Sequence, residues 1–510
     1  MLHLDGTGPL YQQVCRALRE AILTRRLEPG ERVPSTRALA TILKVSRNTA
    51  IMAYEQLLAE GYLEARIGAA GTVVASALPT AFDASTPSKR TGPQRRNRSR
   101  AGVRLAAAGR RILKAARSEA TGLGLPTLTW ELTPPHMPFD FRPGRAAFPD
   151  VPYSLWCKLL GSRARRASIR DLEYGPPAGR WELREAIAKR LHRLRGIDAG
   201  PQRVVIVNGT QQALDLIARV LLDPRDRVLI EEPHYTGARC ALTCAGSELI
   251  PMTVDNEGIR IPKASLRKPR VRLAYVTPSH QFPTGVVLST TRRLELLNWA
   301  SRAGAFVIED DYDSEFRYDG PPLQALAGLD QQERVIYVGT FSKILFPALR
   351  LAYLVLPQPL VEPIVATKAV SDTGSAALEQ LTLADFITQG HFDRHLRRTN
   401  AINAARRSTL VAALRREFSD RVEVCGANAG LHLLAWLKGR DGGMIKEVSH
   451  KAQMAGVGFY PVDPFYLKSP ARTGIVLGYA PLREHEIREG IRRLAKALGL
   501  SGPNRSPVAS

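Results

Sequence analysis

Apolar positions recur at helical spacing through the first sixty or so residues and give way to short β-branched runs beyond residue 200, a change of period that divides the chain. Leu10, Val14, Leu18 and Ile22 predict one helix, ending near Thr24 before the Pro29-Gly30 turn. Ser35 caps a second helix through Ala38, Leu39 and Ile42, and Ser46 opens a third over SRNTAIMAYEQLLAEGYL. Two helices joined by so short a turn form a helix-turn-helix. The alternating stretch Tyr62 to Arg66, followed by Gly68 to Val74 with its glycine turn, predicts a β-hairpin wing.

The second half alternates apolar runs with helical stretches, as a mainly parallel sheet in an α/β fold requires. The predicted strands are Arg203 to Val207, Arg227 to Ile230, Val271 to Val276, Ala305 to Ile308, Val335 to Val338 and Leu351 to Leu356. Val422 to Val424, Gly430 to Leu437, Val457 to Tyr460 and Thr473 to Leu477 alternate with helices as a small C-terminal α+β subdomain. Between the halves, residues 77–132 dissolve into Pro, Ser, Thr, Gly and Arg with almost no acids, a composition that cannot bury a core. They read as a basic flexible linker, with a transient basic helix over Val103 to Ala116. The predicted division is therefore 1–76, 77–132, 133–500 and a loose tail at 501–510.

Composition changes the picture in three ways. Lys plus Arg outnumber Asp plus Glu by 72 to 48, a formal charge of +24 that favours polyanionic partners. The five cysteines are scattered, and only Cys240 and Cys244 are close, so buried free thiols fit better than a metal site or disulfides. The longest apolar runs fall far short of the roughly 20 residues that cross a bilayer, and the N-terminus lacks a signal-peptide pattern, so the expected address is the cytoplasm, with no membrane partner.

Chemistry gathers at the predicted strand ends. After the Val335 run comes Gly339-Thr340-Phe341-Ser342-Lys343, then Arg350, on a loop just past a strand, where α/β sheets place ligands. Lys343 there can condense with an aldehyde, and Thr340, Ser342 and Arg350 can hold a phosphate dianion, a pairing that suggests pyridoxal 5′-phosphate (PLP); read alone, Lys343 is equally one solvated lysine among many. Asn208-Gly209-Thr210-Gln211 forms a strand-to-helix turn whose free amides suit a phosphate. Tyr235 follows another strand and can stack on a planar ring or simply pack. Glu309-Asp310-Asp311-Tyr312-Asp313 crowds acids that would repel one another unless a cation, either a metal or a protonated ring nitrogen, sits there. In the N-terminal segment Arg47, Asn48 and Thr49 open the third helix, the end that enters the major groove in a helix-turn-helix. Arg37 can reach a phosphate, and Gly71 lets the wing backbone approach a minor groove. A protein-interaction module would show the same three helices and hairpin.

The passage VPSTRALATILKVSRNTAIMAYEQLLAEGYL with GAAGTVV resembles the winged helix-turn-helix of GntR-family regulators. That resemblance implies contact with double-stranded DNA by Arg37, Arg47, Asn48, Thr49 and Gly71, with Tyr54, Leu57, Leu58 and Tyr62 in the core. The ordered turns NGTQQAL, EEPHY, PSHQFPTG, EDDYDSEF and GTFSK with a later Arg resemble the fold type I aminotransferases, and within them the PLP domain of MocR/GabR-type regulators. This implies Lys343 as the lysine of the internal aldimine, Asp310 on the pyridinium nitrogen, Tyr312 on the phenolic oxygen and Tyr235 stacked on the ring. It assigns the phosphate to Gly209, Thr210, Gln211, Thr340, Ser342 and Arg350. Where aminotransferases carry Asn-Pro-Thr-Gly this chain has His280-Gln281-Phe282-Pro283-Thr284-Gly285, so the contact to the cofactor oxygen is rearranged or passes to His280 or Gln281. The late substrate-carboxylate arginine is not evident, with Arg239 and Arg472 as displaced stand-ins and no metal ligand set in register. Gly175 to Gly179 with the helix Trp181 to Leu191 resembles the loop that nears the partner subunit's site, which implies a homodimer. The reading is a DNA-binding regulator that senses an amine, an amino acid or PLP itself; the second reading is a working aminotransferase with an accessory DNA-binding domain.

Overall fold

Local sequence places the first helices. The computed structural model describes residues 2–66, 71–76, 105–118, 137–261, 271–320, 323–438, 445–468 and 470–499. It forms two compact units, Met1–Gly102 and Val103–Ser510. In the first, α1 (Leu10–Leu23), α2 (Thr36–Leu43) and α3 (Arg47–Ala59) precede the antiparallel pair β1 (Leu63–Arg66) and β2 (Gly71–Val74). Both predicted caps form: Ser35 Oγ accepts from Ala38 N, and Ser46 Oγ accepts from Thr49 N at 3.1 Å. Lys44 ends α2 in the left-handed region at φ 53°, which turns the chain from α2 into α3 within three residues. Val14, Leu18 and Ile22 meet Leu39, Leu57 and Val74 in one core, and the Tyr54 hydroxyl donates to Pro34 O at 2.6 Å. Leu10 and Ile42, at the ends of the apolar stripe, are instead exposed.

The second unit is built on an eight-stranded sheet in the order β4-β11-β10-β9-β8-β5-β6-β7. Before it comes β3 (Phe139–Asp140). The sheet strands are β4 (Val204–Val207), β5 (Arg227–Glu232), β6 (Glu248–Asp255), β7 (Gly258–Ile259), β8 (Val271–Val276), β9 (Phe306–Asp311), β10 (Val335–Thr340) and β11 (Ala352–Val355). Neighbours from β10 through β9, β8 and β5 to β6 are parallel, whereas β11 runs antiparallel to both β10 and β4. Alternate side chains enter opposite cores: on β11, Ala352 and Leu354 pack with Leu214 and Ile217, while Tyr353 and Val355 pack with Leu183 and Ile187. The predicted strands are found, but β6 and β7 escape the pattern because β6 is only half-buried and carries Pro251, and β7, at the edge, is two residues long. β12 (Val422–Cys425), β13 (His432–Leu437) and β15 (Gly474–Gly478) form the antiparallel sheet of the small subdomain, and β14 (Val457–Gly458) pairs with β3.

The linker prediction needs amendment at its centre. Residues 77–104 and 119–136, and the tail 501–510, lie outside the described residues. Between them α4 (Ala107–Ser118) forms, and Arg111 Nε donates to Cys244 O at 3.1 Å, docking α4 on the helix Thr236–Ala245. This part of the basic stretch belongs to the second unit. Because the two units have separate cores, Leu18→Ala, which empties a fully buried position, is expected to destabilise the N-terminal unit by about 3 kcal/mol. Scanning calorimetry should show one transition lowered and the other unmoved.

Candidate functional site

Parallel strands aligned in register deliver their C-terminal ends to one edge of the sheet, and there a cavity of about 310 Å³ opens. Thr210, Gln211, Tyr235, Asp310, Tyr312, Thr340, Ser342, Lys343 and Arg350, all singled out in the sequence, line it together. Lys343 Nζ donates to Gly144 O at 2.6 Å. Burial lowers the lysine's pKa, against the pull of Asp313 and Asp310, which favours the neutral amine a nucleophile needs.

The crowded acids separate by strand alternation. Glu309, Asp310 and Asp311 belong to β9 itself and Asp313 to the turn beyond it, so Asp310 points to the cavity face while Glu309 and Asp311 point away. Glu309 accepts from Leu326 N and Ala327 N, both at 2.8 Å. Asp311 pairs with Arg195 at 2.7 Å and accepts from the Tyr337 hydroxyl at 2.5 Å. Asp310 Oδ2 accepts from the Tyr275 hydroxyl at 2.7 Å, while its Oδ1 is buried with no protein partner. Burial pushes Asp310 up to about 7, the Tyr275 hydrogen bond working against the shift and Asp311 adding to it. An acceptor left open in this place fits a ring N–H, as a pyridinium presents.

The phosphate end of the cavity is equally specific. Gly209 caps the helix Thr210–Leu221 at φ 99°, and a Cβ added there would lie 2.6 Å from Arg350 Nη2. Glycine thus lets the guanidinium lie across the helix N-terminus, where Arg350 also donates to Asn208 O at 2.6 Å. The amides of that first turn, the hydroxyls of Thr340 and Ser342, and Arg350 form a cradle for a dianion. Tyr235 lies over Gly237, whose added Cβ would sit 2.4 Å from the ring, so this glycine also makes room for a planar group's neighbour.

Other expectations shift. His280 does not line the cavity. It stands behind Tyr312, with Nδ1 3.1 Å from both Tyr312 Oη and Asp313 Oδ2 and Nε2 3.4 Å from Gly426 O. Burial alone would lower its pKa, but the Asp313 carboxylate outweighs burial and raises it. His432 completes a group whose ligand atoms lie within 4.8 Å of one another. Gly430 packs so closely that an added Cβ would meet His280 Cε1 at 2.2 Å, and the group is knit by the His280–Asp313 ion pair with the two imidazole rings tilted at 55° and 5.0 Å apart. Gln281 spends its amide inside the protein, donating to Pro233 O after β5 and to Phe282 O and accepting from Thr284. Phe282 is therefore the residue of this turn that faces the cavity. Arg239 donates to Pro464 O and Tyr466 O, and Arg472 pairs with Glu423 over the Trp436 ring; neither lines the cavity. Arg142 and Arg145 do, flanking Gly144, with Asp140 3.8 Å and 3.1 Å away respectively. Sequence reasoning missed them, although a Pro-Gly turn between two arginines was a signal.

In the N-terminal unit Arg37, Arg47, Asn48 and Gly71 are exposed, and the Thr49 hydroxyl lies 2.8 Å from Ser46 Oγ as part of the cap. Gly71 has φ +67°, and the Arg32 guanidinium lies 3.4 Å from where its Cβ would be, adding an unforeseen cation to the wing. The predicted turn at residues 68–70 lies outside the described residues.

Comparison with known proteins agrees with both halves. Residues 10–74 match the gntR family of bacterial regulatory proteins, and residues 161–493 match aminotransferase class I and II. The chain is 38% identical to the probable rhizopine catabolism regulatory protein MocR of Rhizobium meliloti, over 98% of this chain and 95% of that one. It is 34% identical to the transcriptional regulator TauR of Rhodobacter capsulatus, over 97% of each. Among solved structures, LysN of Thermus thermophilus, an α-aminoadipate aminotransferase complexed with N-(5′-phosphopyridoxyl)-L-leucine, is 28% identical at a TM-score of 0.67, covering 78% of this chain and 97% of its own. The kynurenine aminotransferase of Pyrococcus horikoshii, in complex with PMP, is 27% identical at a TM-score of 0.66, covering 78% and 95%. With a winged helix and an aminotransferase-like domain in one chain, and full-length likeness to such regulators, the chain belongs to the MocR/GabR-type subfamily of GntR-family transcriptional regulators.

Proposed function

We propose that this DNA-binding regulator reads a small amine carrying an acidic group, at Lys343, with PLP as the reporter. The open Asp310 Oδ1 beside Lys343 carries the reading, because a buried carboxylate oxygen without a partner at the end of a lysine-bearing cavity calls for a cationic ring nitrogen. PLP is the cofactor, and when bound it supplies an aldehyde that captures amines and a ring that withdraws electrons. With PLP bound, Asp310 would accept from its ring nitrogen, and Tyr312 and Tyr235 would help hold the ring. The turn Gly209-Thr210-Gln211, with Thr340, Ser342 and Arg350, holds the phosphate. Arg142 and Arg145 take the effector's acidic group in exchange for Asp140, the role that Arg239 and Arg472 are too far out to fill.

An amine taken up in place of Lys343 would leave that side chain free in the cavity beside Gly144 O, Asp310 and Asp313. This changes the charge at the seam of the two subdomains, and DNA affinity responds only as far as the two states differ in free energy. DNA is gripped by Arg37, Arg47, Asn48, Thr49 and the wing at Gly71, in the cytoplasm where the operator lies. A homodimer is the working form, since Ile169, Leu172 and Tyr174, just before the Gly175 to Gly179 loop, leave 80%, 71% and 87% of their surface exposed for a second copy to cover.

Each part yields a measurement. Lys343→Ala should lose the visible absorbance that added PLP gives, and its operator binding should no longer respond to amines. In the same titration Arg142→Gln with Arg145→Gln should keep the absorbance and need about tenfold more effector or beyond. A retained response in the lysine variant, or keto-acid product accumulating from amino donors, would overturn the sensing route. For Asp310 the folded-state pKa lies above its usual value, so without cofactor its contribution to stability is present below about pH 4 and is lost as pH climbs through about 7. The gain in melting temperature on adding PLP should therefore widen from about pH 5 to about pH 8 and widen far less in Asp310→Asn. Arg47→Ala should weaken binding to duplex DNA and reduce the salt slope of log K by about one.

A further inference from the structure

A second cavity, of about 250 Å³, lies away from Lys343, between the C-terminal turns of the helix Trp181–Arg195, the loop after β9, Tyr353 of β11 and the long helix His391–Phe418. It shares no lining residue with the first. Its walls combine apolar surface from Leu191, Leu194 and Leu396 with polar groups that the fold leaves open. Arg190 Nη2, Arg195 Nε and Arg317 Nε are buried donors without a partner, and Asn400 Oδ1 is a buried acceptor without one. Open buried polar atoms are individually costly and are normally satisfied. Four on the residues lining one cavity point to a molecule that satisfies them.

The charges decide which kind. Arg190 pairs with Asp393, and Arg195 with Asp311, so those guanidiniums are already neutralised on one side. Arg317 has no ion pair among the described residues. Glu315 is the carboxyl on the wall; burial, aided by Asp311, pushes it up to about 7, so it opposes an anion less than an ordinary carboxylate does. The Asn400 amide orients itself by donating Nδ2 to Glu315 O at 2.9 Å, which leaves its oxygen free to accept. Three guanidinium donors and one amide acceptor match a small carboxylate with a hydroxyl or ammonium group beside it.

We propose that this cavity is a second ligand site, for a compact carboxylate bearing an adjacent hydrogen-bond donor. Arg317 carries the charge recognition, Arg190 and Arg195 supply further donors, and Asn400 reads the neighbouring donor group. The site is wired to the first: Arg195 donates to Ser279 Oγ and pairs with Asp311, the residues next to His280 and Asp310.

L-lactate is a suitable probe, because it has the carboxylate and hydroxyl but no amine to react at Lys343. Isothermal titration into the full-length, PLP-loaded protein should show saturable binding at one site per chain. Arg317→Gln should weaken it by about tenfold or more, and this variant removes no side-chain hydrogen bond or ion pair among the described residues. Leu194→Trp, which fills the space and leaves every charge in place, should abolish it. Arg142→Gln, in the first cavity, should leave it intact. No saturable heat at millimolar lactate, equal binding by wild type and Arg317→Gln, or loss in Arg142→Gln with retention in Arg317→Gln would overturn the assignment. Unmoved melting temperatures in the variants separate lost binding from lost folding.

Discussion

The second unit depends on how β9 buries consecutive carboxylates. A charged group taken into the interior is tolerated only if something fixed receives it, and three in a row along one strand need separate receivers. Strand alternation provides the separation. Glu309 is received by the amides that open the Leu326–Leu329 helix, Asp311 by Arg195 and Tyr337, and Asp310 by Tyr275 with one oxygen left over. The elements carrying those partners are held in register by this requirement, and the remaining oxygen defines where the cavity needs a ligand.

The polar contacts of the cavity are divided among a few residues. The turn after β8 places Phe282 against the cavity and turns Gln281 inward, while the Tyr312 hydroxyl donates to His280 O at 2.9 Å. Two of the cavity's arginines come from the Arg142-Pro143-Gly144-Arg145 segment, whose backbone also holds Lys343. One short segment thus touches the amine-bearing side chain and places two guanidiniums on the same wall.

Much of this was legible in the sequence, for physical reasons. Buried parallel strands read as continuous β-branched runs, and the turns after them carry polar residues at fixed offsets, so Lys343, Asp310, Tyr312, Thr210 and Arg350 were found together. Helix caps at Ser35 and Ser46 are local chemistry and were equally plain. What escaped depends on long-range contact. Arg142 and Arg145 lie about 200 residues from Lys343 in the chain, and no periodicity links them. His280 looked like a cofactor ligand because its position in the turn is right, yet Asp313 and Gly426 hold it a layer behind. The acids of β9 seemed to demand one shared cation because spacing alone does not reveal that Arg195 and two backbone amides would share the load.

The layer behind Tyr312 has a mechanical side. His280 comes from the turn after β8, whereas Gly426 and His432 belong to the small subdomain, and His432 lies 3.3 Å from Pro283 O in return. Gly285 and Gly426 press together so tightly that a side chain on either would strike the other's backbone. The joint has no slack. This close-packed joint stands one hydroxyl away from the cavity, because His280, which it holds, lies 3.1 Å from the Tyr312 hydroxyl.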